Sequence, residues 1–447
     1  MAAASITSSG MNLGYSAVAL PLMDLDDEDE NWFASVASIA TSFGCLVAGP
    51  TLDALGRRYT IILVNVPFIL GFTVLCAVPY DTPLWALFIG RVLTGLGSGM
   101  ASLPATVYIA EMATSRMRPM LVTWPSIFIS IGILLVYLFG YLTSDWRIVA
   151  GICLAFPIIT GLVEFLFLKE SPTWLISRDR IEEAESSLMW VRGVAEMTPE
   201  LKQEHEAIVT NVTSLGTDNL TFMEKLKLYK NAECWKPLLI LNVYFFFMQL
   251  SGVYVLIFYA VGIVKSAGVT IDEFLAAVLL GVFQLLAGVV ASYVLNRCGR
   301  RPMSFFSGIL MSITMLGLGV YMEVSEDTSL SWVPLTLIII FIGAAAAGFN
   351  TIPWAMLGEI FPARVRGLSG GVTTCLSYTF SFIAITLYPG GTAGIFFLYG
   401  SSAAVATVFL FFFLPETFGK TLDQISEEFR RPGLGHLHFY RSKKSVS

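Results

Sequence analysis

The sequence predicts an all-α membrane protein of twelve transmembrane helices, built as two parallel six-helix repeats with a helical linker on the cytosolic face. Three observations carry that expectation. Of 447 residues 55% are hydrophobic and only 13% charged, with a mean hydropathy of +0.72, and a soluble domain of this size could not cover so much apolar surface. Stretches of ~20 apolar residues, the length that crosses about 30 Å of hydrocarbon, recur along nearly the whole chain. Motifs of the first half return in the second at a near-constant offset.

Spans are expected near 1–23, 31–54, 60–79, 84–112, 119–143, 147–168, 236–265, 272–296, 303–324, 332–361, 367–389 and 391–414. The tenth is too long to cross straight. The first is the weakest, since "MAAASITSSGMNLGYSAVALPLM" is rich in Ser and Gly and no basic residue precedes it. A signal peptide would carry a charged start, so this reads as an atypical or N-terminally shortened first helix. The acidic run "DLDDEDE" from Asp24 reads as a solvated loop. With an even number of spans both ends share one side. Of 27 basic residues only Arg91, Arg147 and Lys265 then fall on the far side, which makes the near side cytosolic. The net charge of −6 decides nothing by itself.

Between the sixth and seventh spans the composition turns charged and helical in period, which marks residues 169–235 as a cytosolic linker between halves at 1–168 and 236–414, with a cytosolic tail at 415–447. Asn211-Val-Thr213 and Asn219-Leu-Thr221 match the N-glycosylation pattern, yet in a cytosolic linker they stay unmodified. Six cysteines lie singly, without histidines at ligand spacing, so neither a disulfide framework nor a metal site is indicated.

"DALGRR" at 53–58 recurs as "NRCGRR" at 296–301, Glu111 with Arg118 as Glu359 with Arg366, and "KESPTWL" at 169–175 as "LPETFGK" at 414–420. From Arg57 to Arg300 is 243 residues, from Glu111 to Glu359 is 248 and from Glu170 to Glu416 is 246. Six spans per copy give both the same orientation, the parallel repeat of a rocking transporter. All these charges fall at cytosolic helix ends, where they can pair with a neighbouring helix or reach water. Glu111, Glu359, Asp53, Arg57, Arg58, Arg300, Arg301, Arg118, Arg366, Glu170 and Glu416 are therefore expected to form a latch that closes when the halves meet on the inside. The plain alternative, helix-end anchoring, would suffice for the arginines but not for glutamates repeated at fixed spacing. Gly56 and Gly299 allow the chain to reverse between helices.

The tenth span carries Pro353, expected to bend it near mid-depth, and Trp354, whose flat apolar face with one donor suits a sugar ring. The seventh is broken at "FFFMQLSGVYVLIFY", where Gln249 and Ser251 are polar and Gly252 loosens the helix. Gln284 and Asn350 add amides, and each taken singly also fits a plain interhelical hydrogen bond. Glu164 lies about four residues before a span end and is expected to snorkel or to pair with a linker cation.

In order along the chain, "GPTLDALGRR", "GRVLTGLGSG", "YIAEMATSRMR", "ESPTWL", "QLSGVYVLIFY", "NRCGRR", "IPWAMLGEIFPARVRG" and "PETFGKTL" resemble the sugar porter family of the major facilitator superfamily, most nearly its insect facilitated trehalose transporters. That resemblance implies the major facilitator fold and a facilitative sugar carrier in the cell membrane, with both termini cytosolic. It also implies sugar contacts at Gln249, Gln284 and Trp354, and a cytosolic salt-bridge network through Arg57, Glu111, Arg118, Arg300, Glu359 and Arg366. Tyr254 and Ser377 with Tyr378 stand where the family often has Asn, Asn and Trp, and Met248 replaces a second Gln, so the polar set is thinned. The expected partners are a small-molecule sugar, trehalose or a hexose, and the lipid bilayer, with no nucleic acid, cofactor or metal. Resembling symporters carry an acid after the "GY" pair, whereas Ser16 follows Gly14-Tyr15 here, so passive transport is expected ahead of proton coupling or a non-transporting sensor. No nucleophile, base and orienting partner fall together as an enzyme would require.

Overall fold

The computed structural model describes residues 3–23, 25–79, 84–114, 117, 121, 123–216, 222–269, 271–324, 332–362, 365–388, 393–418, 420 and 422–430, which are helical apart from short turns. Among the described residues, ten helices are long and apolar enough to cross a membrane: Asp27–Leu55, Arg57–Ala77, Leu84–Met112, Trp124–Leu142, Trp146–Phe167, Glu273–Leu295, Arg300–Val324, Trp332–Glu359, Arg366–Thr386 and Ala393–Phe413. Two further segments complete twelve. The first span, Ser5–Ala19, is short, but every one of its residues is buried by the spans around it. The seventh comes in three pieces, Ala232–Leu250, Val253–Phe258 and Ala260–Ser266.

Close helix packing explains why so many small residues sit in these spans. The first and fifth meet backbone to backbone at Gly10 and Gly132, and the second and fourth at Gly44 and Gly99. A Cβ on Gly99 would stand 2.1 Å from the Thr41 carbonyl oxygen, and one on Gly132 2.2 Å from that of Thr7. Such contacts substitute for the hydrophobic drive that lipid cannot supply between helices.

The linker consists of the helices Pro172–Ser177, Ile181–Arg192, Pro199–Gly216 and Phe222–Leu228. Its first part is fastened to the first half: Trp174 Nε1 and Arg178 Nη2 donate to the Asp53 carbonyl at 3.1 and 2.8 Å, and Arg192 Nη1 to that of Met112 at 3.0 Å. Its last residues hold to the second half, where Tyr229 meets Ser369. The helix Leu422–Arg430 lies against the seventh span through Lys236 Nζ, which donates to the Phe429 carbonyl at 3.0 Å, and through Arg430 paired with Glu233. Asn219 lies outside the described residues, as does the side chain of Asn211.

The bend in the tenth span is not at Pro353 itself. The helix Trp332–Ala344 gives way to a wide turn at Ala345–Phe349 and restarts at Thr351–Glu359, with Pro353 in the first turn of the new helix. Proline lacks the N–H that would bond the carbonyl four residues back, so the strain is relieved upstream of it. Ser307 of the ninth span braces the turn, donating to the Ala344 carbonyl at 2.6 Å and accepting from the Phe349 amide at 2.8 Å.

Candidate functional site

At the linker end of each half the same device appears twice. Gly56 ends the second span at φ +91° and Gly299 the eighth at φ +85°. A Cβ at Gly56 would lie 2.4 Å from a Glu170 carboxylate oxygen, and one at Gly299 2.8 Å from Glu416. Glycine is thus required both by the turn and by the carboxylate that enters it. Glu170 Oε1 accepts from the Arg57 and Arg58 amides at 2.8 and 3.2 Å, and Glu416 from those of Arg300 and Arg301 at 3.0 and 3.1 Å. Each carboxylate caps the N-terminus of the helix that follows, where amides and dipole favour a negative charge.

The guanidinium of Arg57 reaches Glu111 at 2.7 Å and its Nη1 donates to the Leu52 carbonyl at 3.3 Å. Arg300 repeats this with Glu359 at 2.8 Å and the Leu295 carbonyl at 2.9 Å, and Thr417 donates to Glu359 Oε2 at 2.7 Å. Arg58 and Arg301 donate to the carbonyls of Phe165 and Phe411. Asp53 is 82% exposed and 3.9 Å from Arg57, a weak surface partner. Arg366 turns back onto the Phe361 carbonyl at 3.3 Å, and Arg118 lies outside the described residues. The expectation that these pairs form across the halves and hydrate when they part is corrected here. Arg57–Glu111 and Arg300–Glu359 each lie within one half, because the glutamate ends a span that packs beside the tight turn of its own repeat.

At the centre, Gln249 is fully buried and its Nε2 donates to Ser377 Oγ at 3.0 Å, while its Oε1 has no hydrogen-bond partner. The Asn350 Oδ1 and the Tyr399 hydroxyl are likewise buried and unpartnered. Buried polar atoms of this kind are expensive unless something completes them. The half-buried Trp354 has its ring centroid 4.9 Å from Phe245 and 5.7 Å from Tyr378, so both aromatics prop the ring expected to meet sugar. Tyr254 and Gln284 are buried in the seventh and eighth spans. Ser251 serves the backbone: its hydroxyl donates to the Met248 carbonyl at 2.6 Å and is spent closing the helix.

Gly252 makes the seventh-span break possible. Its φ is +83°, and a Cβ there would stand 2.3 Å from the Tyr399 ring. Gly252→Ala is therefore expected to lower stability by at least ~1–2 kcal/mol from the backbone conformation alone, read as a fall in melting temperature of the purified protein. An unchanged melting temperature would show that this break is not needed.

At the far end, hydrogen bonds cross between the halves. Asn31 Nδ2 of the second span donates to the Thr386 carbonyl of the eleventh at 2.9 Å, Tyr259 of the seventh reaches Asn31 Oδ1 at 3.5 Å, and Tyr137 of the fifth donates to the Ile257 carbonyl at 2.8 Å. Trp32 packs on Phe382, and at mid-depth Ser42 meets Thr379 at 3.2 Å. The molecule is closed at this end. None of these residues was marked by the sequence; the one available signal was the clustering of Tyr and Trp near span ends.

Two charges expected near interfaces are interior instead. Arg91 is fully buried in the first half, donating to the Asn12 Oδ1 at 2.7 Å, Ser16 Oγ at 2.6 Å and the Phe33 carbonyl at 3.2 Å, with its guanidinium 5.1 Å from the Phe33 ring. Glu164 does not snorkel. It is 0% exposed and accepts from Asn65 Nδ2 at 2.8 Å, while Thr160 donates to Asn65 Oδ1 at 3.0 Å, because the third and sixth spans close around it.

Residues 8–429 match the family described as "Sugar (and other) transporter". The chain belongs to this family. Among curated sugar-transporter relatives, it is 34% identical to "Facilitated trehalose transporter Tret1" of Anopheles gambiae over 96% of this chain and 55% of that one. The Tret1 proteins of Culex quinquefasciatus and Apis mellifera ligustica are 32% and 30% identical over 85% and 88% of their lengths, and 96% and 97% of this chain. The chain spans about half the length of the Anopheles gambiae and Aedes aegypti relatives. Among solved structures, the xylose transporter XylE from E. coli in a partially occluded inward open conformation superposes with a TM-score of 0.77 at 21% identity, covering 94% of this chain and 98% of that one. XylE bound to 6-bromo-6-deoxy-D-glucose, described as a major facilitator superfamily proton:xylose symporter, gives 0.77 at 22% identity over 96% and 98%. The chain has the major facilitator fold.

Proposed function

We propose that this chain is a facilitative transmembrane sugar transporter for trehalose or a hexose, working by alternating access in the cell membrane. The observation that carries the reading is one-sidedness. Hydrogen bonds join the halves at the far end and mid-depth, whereas the ion pairs at the linker end each stay within one half, the arrangement of a carrier closed on one side. With the linker and both termini cytosolic, this is an inward-facing state. Arg91 leaves only Arg147 and Lys265 as basic groups at the far end, which strengthens the positive-inside bias behind that orientation.

The sugar sits between residues 1–168 and 236–414, against Trp354 and beside the unpartnered oxygens of Gln249 and Asn350, with Gln284, Tyr254 and Ser377 around it. The names of the insect relatives favour trehalose, and Phe245 and Tyr378 packed on Trp354 favour a substrate held by ring faces as much as by hydroxyls. In the opposite state Arg366, which holds only a carbonyl here, is the cation free to reach across to Glu111. Uptake of a labelled sugar panel by proteoliposomes, trehalose first, tests the assignment: saturable entry of one sugar supports it, and binding without entry would make the chain a sensor.

Transport is passive, because Ser16 is committed to Arg91 and a hydroxyl exchanges no proton at physiological pH. One observation favours proton coupling instead: the water-excluded Glu164 carboxyl. A pH dye outside sugar-driven vesicles, at zero membrane potential, is expected to stay flat. Sugar-dependent alkalinisation abolished by Glu164→Gln would establish a symporter.

A further inference from the structure

We infer that Cys45 of the second span and Cys375 of the eleventh form a thiol pair across the two halves, which hydrogen peroxide joins into a disulfide that stops the halves from rocking. The register of the seam carries this. The two spans run antiparallel, with Asn31 on the Thr386 carbonyl and Trp32 on Phe382 at the far end, and Ser42 against Thr379 at 3.2 Å deeper in. One turn further inward on each helix stand Cys45, three residues after Ser42, and Cys375, four before Thr379. Thr379 donates to the Cys375 carbonyl at 3.0 Å, which puts one directly over the other. The Cys45 and Cys375 thiols lie within electrostatic reach of each other. A disulfide needs Cβ atoms about 4 Å apart, the order of separation at which the Ser42 and Thr379 hydroxyls already meet.

The two sulfurs differ in access. Cys45 is buried, with its Sγ 3.6 Å from Ser102 Oγ of the fourth span, a weak contact that rotation about one side-chain bond releases. Cys375 is half-buried and is the one that a small neutral oxidant meets first. Both are free thiols here, as a reducing cytosol keeps them at rest. The Cys375 thiolate attacks one peroxide oxygen, the O–O bond breaks, and the departing hydroxide takes a proton and leaves as water, giving a sulfenic acid. The Cys45 thiol then attacks that sulfur, passes its proton to the leaving hydroxyl, and a second water departs. Two sulfurs are oxidised to one disulfide, and one peroxide is reduced to two waters. The bond ties the second span to the eleventh at a depth where alternation requires them to change angle. Tyr378, which packs on Trp354, is also within electrostatic reach of Cys45, so the pair borders the sugar path.

Hydrogen peroxide added to the purified full chain in liposomes, followed by non-reducing peptide mapping in a mass spectrometer and by sugar uptake, tests this. A peptide pair linked through Cys45 and Cys375 is expected, with uptake lowered about fivefold or more and restored by dithiothreitol. Cys45→Ser and Cys375→Ser should each keep their uptake through the same treatment. The linked peptide reads the thiol pair even in a chain that moves no sugar, which separates this inference from the transport assignment on which the rocking step rests. Absence of the linked peptide even with copper phenanthroline as catalyst, parent uptake in a chain mapped as fully linked, or unchanged peroxide sensitivity in both variants would each overturn it.

Discussion

Trp354→Ala is expected to cut sugar uptake about tenfold or more while leaving surface level near that of the parent. The indole is half-buried at the start of the restarted tenth-span helix, with Phe245 and Tyr378 against it at centroid distances of 4.9 and 5.7 Å. Each such aromatic contact contributes ~0.5–1.5 kcal/mol beyond its buried area, and ~1.4 kcal/mol is a factor of ten in rate or affinity. Loss of the ring removes the sugar platform and unprops Phe245 at once. Trp354→Phe separates the two, since it keeps a smaller aromatic ring at the position while losing the indole N–H and part of the flat face; intermediate uptake is expected. Parent-level uptake in Trp354→Ala, at parent surface level, would remove this residue from the sugar path.

The second large effect is expected at Asn31, which bridges the second span to both the eleventh and the seventh. Asn31→Ala deletes two hydrogen bonds that exist only while the far end is shut. At ~0.5–1.5 kcal/mol net each, their loss shifts the balance toward the outward-open state by on the order of tenfold. The readout is the labelling rate of a cysteine at position 35, one turn deeper on the same helix, with an impermeant maleimide in a background without the native cysteines. A rise of several-fold is expected in Asn31→Ala. An unchanged rate would show that the far-end closure does not depend on Asn31.

Much of this architecture was legible because it rests on local signals. Apolar runs mark spans, and Gly56 and Gly299 between paired charges mark the tight turns. The repeat of Glu111–Arg118 as Glu359–Arg366 also gave the parallel duplication. Spacing along the chain places Glu111 and Arg57 at the same membrane end but cannot say whether the pair lies within one half or across two, and only the packing shows that it lies within one. Arg91 was misplaced for a related reason. A single arginine near a span end looks like an interface anchor until Asn12, Ser16 and the Phe33 carbonyl are seen to enclose it. Glu164 is the same case, hidden by Asn65 from a different helix. Asn31 and Ser307 carry no signal in the sequence because the short hydrogen bonds each makes are to backbone groups, and a carbonyl or amide has no residue identity to read. Pro353 did announce a break, but the tertiary brace from Ser307 decides where the helix opens.

Two rigid halves are expected to alternate around one sugar site, and counterflow tests this most directly. Proteoliposomes carrying the purified chain are loaded with excess unlabelled sugar, and the entry of the same labelled sugar is followed with no ion gradient or membrane potential. A carrier that must reload to return predicts a transient overshoot of label above its external concentration, weakened in Trp354→Ala. Label that enters without overshoot, as through a channel, or does not enter at all while still binding, would contradict alternating access in this protein.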